Sequence, residues 1–173
     1  STPASYFHLL RRQTLEAEHR PLIVFTPKSM LRNKAAVSQP DDFTSGSFRH
    51  VLPDPEEALD ASKVERVFLC SGKITWDLMT ERAKREKDQS RTAILRVEQL
   101  YPRPTEDLRA AFEKFSNAKD IRWIQDEPEN QGAWPHYAYH LPRELGVEVT
   151  PITRPESSTT AVGSHSVHVT EAK

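Results

Sequence analysis

The sequence predicts an α/β fold: a twisted, mostly parallel sheet of about five strands with helices on both faces. Three observations carry that prediction. Short runs rich in Val, Ile, Leu and Phe recur along the chain, apolar without alternation, as strands buried on both faces require. Segments with apolar residues at three- and four-residue spacing separate them. Prolines and acids stand where those segments begin, as at helix starts.

In chain order, Ser1, Thr2 and Pro3 read as the cap of a first helix, whose residues Tyr6, Phe7, Leu9, Leu10 and Leu15 line one side opposite Arg11 and Arg12. Residues 21–26 (PLIVFT) form the first expected strand, and residues 64–71, 92–98, 121–126 and 147–152 the other four. A helix over residues 74–88 turns Trp76, Leu78, Met79 and Ala83 inward and ends in a charged run, a solvated face with pairs of alternating sign. The helix over 104–115 opens on Pro104, Thr105, Glu106 and Asp107 and buries Leu108, Ala111, Phe112 and Phe115. A last helix covers 133–145, with Pro142 near its end. The polar stretch 33–63 is expected to be a long surface excursion. The Ser/Thr-rich tail 156–173 is expected to be mobile unless a surface pins it. The 173 residues suffice for one domain, residues 1–173. A start without methionine, already at a helix cap, reads as part of a longer protein.

Formal net charge is −1, which shows no footprint for nucleic acid. No apolar run approaches the roughly 20 residues that cross a bilayer. The single cysteine, Cys70, lies in an apolar run and reads as a small buried hydrophobe, with no intramolecular disulfide available to it.

Chemistry-bearing residues gather in a few places. The strand ending at Asp126 runs into Glu127, Pro128, Asn130, Gln131, Gly132 and Trp134, a polar turn leading into a helix at the functional edge of an open sheet. Glu127, Asn130 and Gln131 can satisfy backbone groups, Gly132 can turn the chain, and Trp134 can anchor a packed contact, so the expected role is structural and interfacial. The turn has no nucleophile, no glycine fingerprint and no metal-ligand pair. Lys28, Arg32 and Lys34 follow the first expected strand as a basic cluster, read equally as a solvated turn or as an anion or subunit contact. His8 borders the apolar face of its helix and reads as a packed or interface histidine. His136 and His140 stand at i and i+4, a spacing that could share a metal, but no third ligand accompanies them, and no metal site is expected.

Five ordered blocks resemble one family. They are TPA (residues 2–4) with YFHLLRRQ (6–13), PLIVFTPKSMLRNK (21–34), SGK (71–73), RVEQL (96–100), and EP (127–128) with NQGAWP (130–135). Together they resemble the C-terminal portion of thiamine-dependent 2-oxoglutarate dehydrogenases, in wording most like the actinobacterial 2-oxoglutarate decarboxylase/dehydrogenase enzymes. The resemblance implies a transketolase-type C-terminal domain in a cytoplasmic enzyme. Its implied partners are the preceding domains of the same enzyme, a homodimer partner and a lipoyl-bearing succinyltransferase component. Thiamine diphosphate and Mg²⁺ would sit in the preceding domains, so no residue here is expected to be catalytic or cofactor-binding.

The resemblance further implies acetyl-CoA as an allosteric effector, with Arg12 and Gln99 matching two contributing positions. An arginine fork suits a CoA phosphate. Ser47 and His50 stand where that pattern has Lys and Ser, and Glu106 and Asp107 where it has adjacent arginines, so two carboxylates would face the phosphates. Two rival readings are a free-standing α/β module that docks a nucleotide or protein, and the same domain of a paralogue acting on another 2-oxo acid.

Overall fold

Thr2 opens the first helix in the computed structural model, which describes residues 2–56, 59–85 and 89–171. Its Oγ1 accepts from the amide of Ser5, and Pro3 takes the first helical position, where its missing N–H costs nothing. The described residues form two compact units, Ser1–His50 and Val51–Lys173.

In the first unit, α1 (Pro3–Leu15) is bound by a returning segment that contains the short α2 (Asp41–Thr44). The amide of Ala4 donates to Ser38 Oγ at 3.0 Å, and Arg11 Nη1 donates to the carbonyl of Gly46 at 3.2 Å. Phe7 meets Phe43 with ring centroids 5.7 Å apart. The strand expected over residues 21–26 is not there. These residues adopt no regular structure and are followed by a 3₁₀ turn, Lys28–Arg32. The physical reason is the lack of a partner, because a strand needs a neighbour for its main-chain groups and this unit contains none among the described residues.

In the second unit the strands are β1 (Val51–Leu52), β2 (Arg66–Cys70), β3 (Thr92–Val97), β4 (Asp120–Pro128) and β5 (Thr150–Arg154). The helices are α3 (Ile74–Ala83), α4 (Thr105–Lys114), α5 (Trp134–Leu145) and α6 (His165–Glu171). The sheet order is β1-β3-β2-β4-β5, parallel throughout except for the antiparallel pairing of β1 with β3. Among the described residues the sheet has five strands, but the fifth is β1, from within the excursion, instead of residues 21–26.

Both faces of the sheet are covered, and the alternation along the strands shows how. Val67, Leu69, Ala93, Leu95, Val97 and Trp123 point to one side, where α4 and α5 bring Leu108, Phe115, Trp134, Tyr137 and Leu141. Cys70, Ile94 and Ile124 point to the other, where α3 brings Ile74, Leu78 and Met79. A right-handed crossover explains the split. The chain moves outward from β2 to β3, then reverses through β4 to β5, so α3 lies on one face and α4 and α5 on the other. The carboxyl ends of β2 and β4 flank the point where strand order reverses, the usual place for ligands in open α/β sheets.

The helix expected over 74–88 ends at Ala83, and residues 86–88 lie outside the described ones. The last strand begins later than expected, at Thr150, because Val147 and Val149 are used as side chains against the core. The tail is tied down at its start and carries α6, with Arg154 paired to Glu171 at 3.3 Å. Among the described residues, no helix is long and apolar enough to cross a membrane. Cys70 is fully buried, and burial pushes its thiol up to about 11, so it stays protonated as a core residue.

Candidate functional site

Gln125 organises the turn that follows the last core residues of β4. Its Oε1 accepts from the indole of Trp123 and from the amide of Trp134, each at 3.0 Å. Its Nε2 donates to the carbonyls of Pro128 at 3.0 Å and Gln131 at 2.7 Å. One buried amide thus joins the strand, the turn and the first residue of α5. Gly132 closes the turn with φ +66°, and a Cβ there would lie 3.0 Å from Gln125 Oε1 and 3.1 Å from the Cβ of Glu127. Left-handed backbone and close approach both exclude a side chain. Gly132→Ala is expected to cost roughly 1–3 kcal/mol, from strain and overpacking together, read as a lower denaturation midpoint at unchanged m-value.

The outer residues of the turn face the tail. Asn130 Nδ2 and Gln131 Nε2 both donate to the carbonyl of Ser157 at 2.9 Å, Gln131 Nε2 also reaches the carbonyl of Thr159 at 3.0 Å, and the amide of Ser157 donates to Asn130 Oδ1 at 3.1 Å. Glu127 is exposed, while Trp134 is buried in the core. The motif is therefore a clamp on residues 157–159 built around a buried glutamine. Gln125 was not singled out in the sequence; its signal is a polar residue following the core-facing Trp123 and Ile124.

A second polar cluster joins α4 and α5. Glu144 accepts from Nε of Arg103 at 3.2 Å, from its Nη2, and from Thr105 Oγ1 at 2.8 Å, and His140 Nδ1 lies 3.2 Å away. The hydrogen bonds from Arg103 and Thr105 hold its carboxyl down at about 2. His136 meets Arg103 Nη1 at 2.9 Å, and burial followed by the facing His140 lowers its pKa. The two histidines are thus engaged with Arg103 and Glu144, and no group of three or more potential ligands occurs among the described residues.

The depressed pKa of Glu144 fixes a pH dependence. Its stabilisation is fully present above the unfolded value, near pH 4.3, and is lost as pH falls towards 2. Glu144→Gln is expected to flatten the fall in Tm between about pH 4.5 and 2, measured by thermal unfolding at a series of pH values.

In the first unit, His8, Arg11, Arg12, Leu15, Glu16 and residues 46–48 line an open cavity of about 440 Å³. His8 is buried and its Nε2 donates to the carbonyl of Asp42 at 2.7 Å, while Nδ1 has no partner. This is a packed histidine with a free acceptor. The Arg12 guanidinium stands 5.1 Å from the centroid of Phe48 and bonds Glu16 at 3.0 Å. Ser47 lines the same cavity, and the ring of His50 meets that of Phe48 at 6.0 Å. Arg12 and Ser47 therefore line one cavity, and Arg12 and His50 both meet the Phe48 ring.

Gln99 belongs to the second unit, where its Nε2 donates to the carbonyl of Pro102 at 2.9 Å. Glu106 and Asp107 are exposed in the first turn of α4. Lys28 and Arg32 lie in the 3₁₀ turn and Lys34 just beyond it, after a segment that is not a strand of the sheet.

The family described as 2-oxoglutarate dehydrogenase C-terminal matches residues 37–173. A multifunctional 2-oxoglutarate metabolism enzyme of Mycolicibacterium vanbaalenii is 49% identical over 177 aligned residues, covering 99% of this chain and 14% of that protein. A 2-oxoglutarate dehydrogenase E1 component of Cupriavidus necator is 46% identical over 175, covering 100% of this chain and 18% of that protein. The chain thus spans less than one fifth of the length of these curated relatives. Among solved structures, a split-gene transketolase described as an inactive beta4 tetramer aligns with a TM-score of 0.49 and 12% identity, over 64% of this chain and 35% of that one.

Proposed function

The chain belongs to the 2-oxoglutarate dehydrogenase C-terminal family, and from that premise we propose that it is the C-terminal domain of the thiamine diphosphate-dependent E1 component of a 2-oxoglutarate dehydrogenase. The observation that carries this reading is identity of 46–49% across essentially the whole chain to relatives named as a 2-oxoglutarate dehydrogenase E1 component and as a multifunctional 2-oxoglutarate metabolism enzyme. The parent enzyme decarboxylates 2-oxoglutarate and passes the succinyl unit to a lipoyl group on the succinyltransferase component. It works in the cytoplasm as a homodimer, and this domain completes the subunit and contributes to the interface.

The polar groups of the turn after β4 and of the start of α3 do not suit thiamine diphosphate with Mg²⁺. The turn after β4 spends Gln125 and Gln131 on its own backbone and on the tail. Lys73, ahead of α3, is bound to Asp77 at 2.8 Å. We assign cofactor and metal to the preceding domains, and no step of the reaction is routed through this chain.

The cavity beside Arg12 is assigned to an anionic effector, acetyl-CoA. Two arginines and an aromatic ring suit a phosphate on an extended ligand. Glu16 must release Arg12 for this to happen, and its carboxylate opposes the ligand. In the full-length enzyme, Arg12→Ala is expected to weaken acetyl-CoA binding by about tenfold, the loss of one charge-assisted bond, with KM for 2-oxoglutarate unchanged. Unaltered affinity removes the effector assignment.

Turnover tests the main proposal. The full-length protein is expected to decarboxylate 2-oxoglutarate in preference to longer 2-oxo acids. Preference for a longer acid makes it a paralogue, and no turnover of any 2-oxo acid returns it to the binding-module reading.

A further inference from the structure

Residues 21–26 carry the composition of a strand, yet they pair with no strand among the described residues. Leu22 and Val24 would face one way and Ile23 and Phe25 the other, so a strand here is apolar on both faces. That pattern suits the interior of a parallel sheet covered on both sides, not a solvated edge. Ile23 is nevertheless 78% exposed and Phe25 95%. The helix ahead is in a similar state, with Tyr6 and Leu10 exposed one turn apart and Leu15 exposed at its end. Only residues 16–20 separate α1 from this segment, an ordinary length for a helix-to-strand connection.

Two further facts point to where the partner lies. The family match begins at residue 37, leaving α1 and residues 21–26 outside it. The relatives run more than five times the length of this chain. We infer that residues 21–26 are an interior strand of a sheet built by the part of the protein outside these 173 residues, with α1 packed on a face of that sheet. Main-chain pairing supplies the affinity and the two apolar faces supply the fit, as in strand addition generally. Lys28, Arg32 and Lys34 then follow the carboxyl end of a strand, where anions collect in such sheets. The inference rests on the proposed reading of the chain as part of a longer E1 enzyme.

Hydrogen exchange of the full-length protein and of the 173-residue chain tests it. The amides of residues 22–26 are expected to exchange on the order of 100-fold more slowly in the full-length protein. Equal, fast exchange in both overturns the inference. Protection in the short chain that grows with its concentration assigns the strand to a second copy and overturns it as well. A second measurement is Phe25→Asp, expected to lower Tm of the full-length protein and leave that of the short chain unchanged; no effect on either contradicts the inference. A full-length protein that turns over 2-oxoglutarate while residues 22–26 stay unprotected removes only the strand assignment. Protection without turnover removes only the functional one.

Discussion

Asp54→Ala is expected to destabilise the second unit by about 3–5 kcal/mol, the cost of stranding one member of a buried ion pair. Asp54 accepts from both terminal nitrogens of Arg82, from Nη2 at 2.9 Å, and from the amide of Ile94 at 2.6 Å. Its side chain is 4% exposed and that of Arg82 10%. Removing the carboxylate leaves a guanidinium with only the carbonyl of Thr92 and an amide of β3 without an acceptor. Asp54→Asn keeps an acceptor for Ile94 and should lose less. The double variant Asp54→Leu with Arg82→Met removes both charges and should also lose less than Asp54→Ala. Chemical denaturation of the four proteins checks the order. A loss below about 1 kcal/mol for Asp54→Ala would mean the pair is no better than a surface one.

Gln125→Ala should cost about as much, roughly 3–5 kcal/mol, because it strands several buried groups at once. The indole of Trp123, the amide of Trp134 and the carbonyls of Pro128 and Gln131 all lose a partner. Gln125→Glu separates the two halves of the amide's work. It keeps an acceptor for the two N–H groups but turns a negative oxygen towards the carbonyls, so it should remain strongly destabilising. Equilibrium unfolding followed by tryptophan fluorescence reads both, since Trp123 and Trp134 are the bonded residues. A near-neutral Gln125→Glu would show that the donor side of the amide contributes little.

The layered sheet was legible because its cues are local. β2, β3 and β4 are apolar runs long enough to be recognised, and α4 and α5 carry their buried stripes at helical spacing. β1 was not legible. Two residues within a polar stretch give no periodicity, and Val51 pairs with Val97 across 46 positions. Residues 21–26 show the opposite failure, where strand composition was clear but the pairing partner lies elsewhere. The start of β5 was misplaced because Val147 and Val149 are apolar for packing, whereas the strand itself contains Thr150, Pro151 and Arg154.

The candidate sites divide in the same way. The turn from Glu127 to Trp134 was visible as a conformational device, and Asn130 and Gln131 do hold backbone groups, those of the tail. The hubs Asp54 and Gln125 were not visible. Asp54 bonds residues 28 and 40 positions away, and nothing in its neighbours distinguishes it from the other acids of a surface loop. Arg12 was named from sequence resemblance alone, and the cavity it lines is closed by a segment returning more than 30 residues later.

On the proposed reading, these 173 residues hold no reaction centre and belong to an enzyme that does. Titration calorimetry with thiamine diphosphate and Mg²⁺, on this chain and on the full-length protein, tests that reading directly. Saturable binding by the full-length protein and no heat of binding with the 173-residue chain are expected. Saturable binding by the short chain at comparable affinity would contradict it and place the cofactor site within these residues.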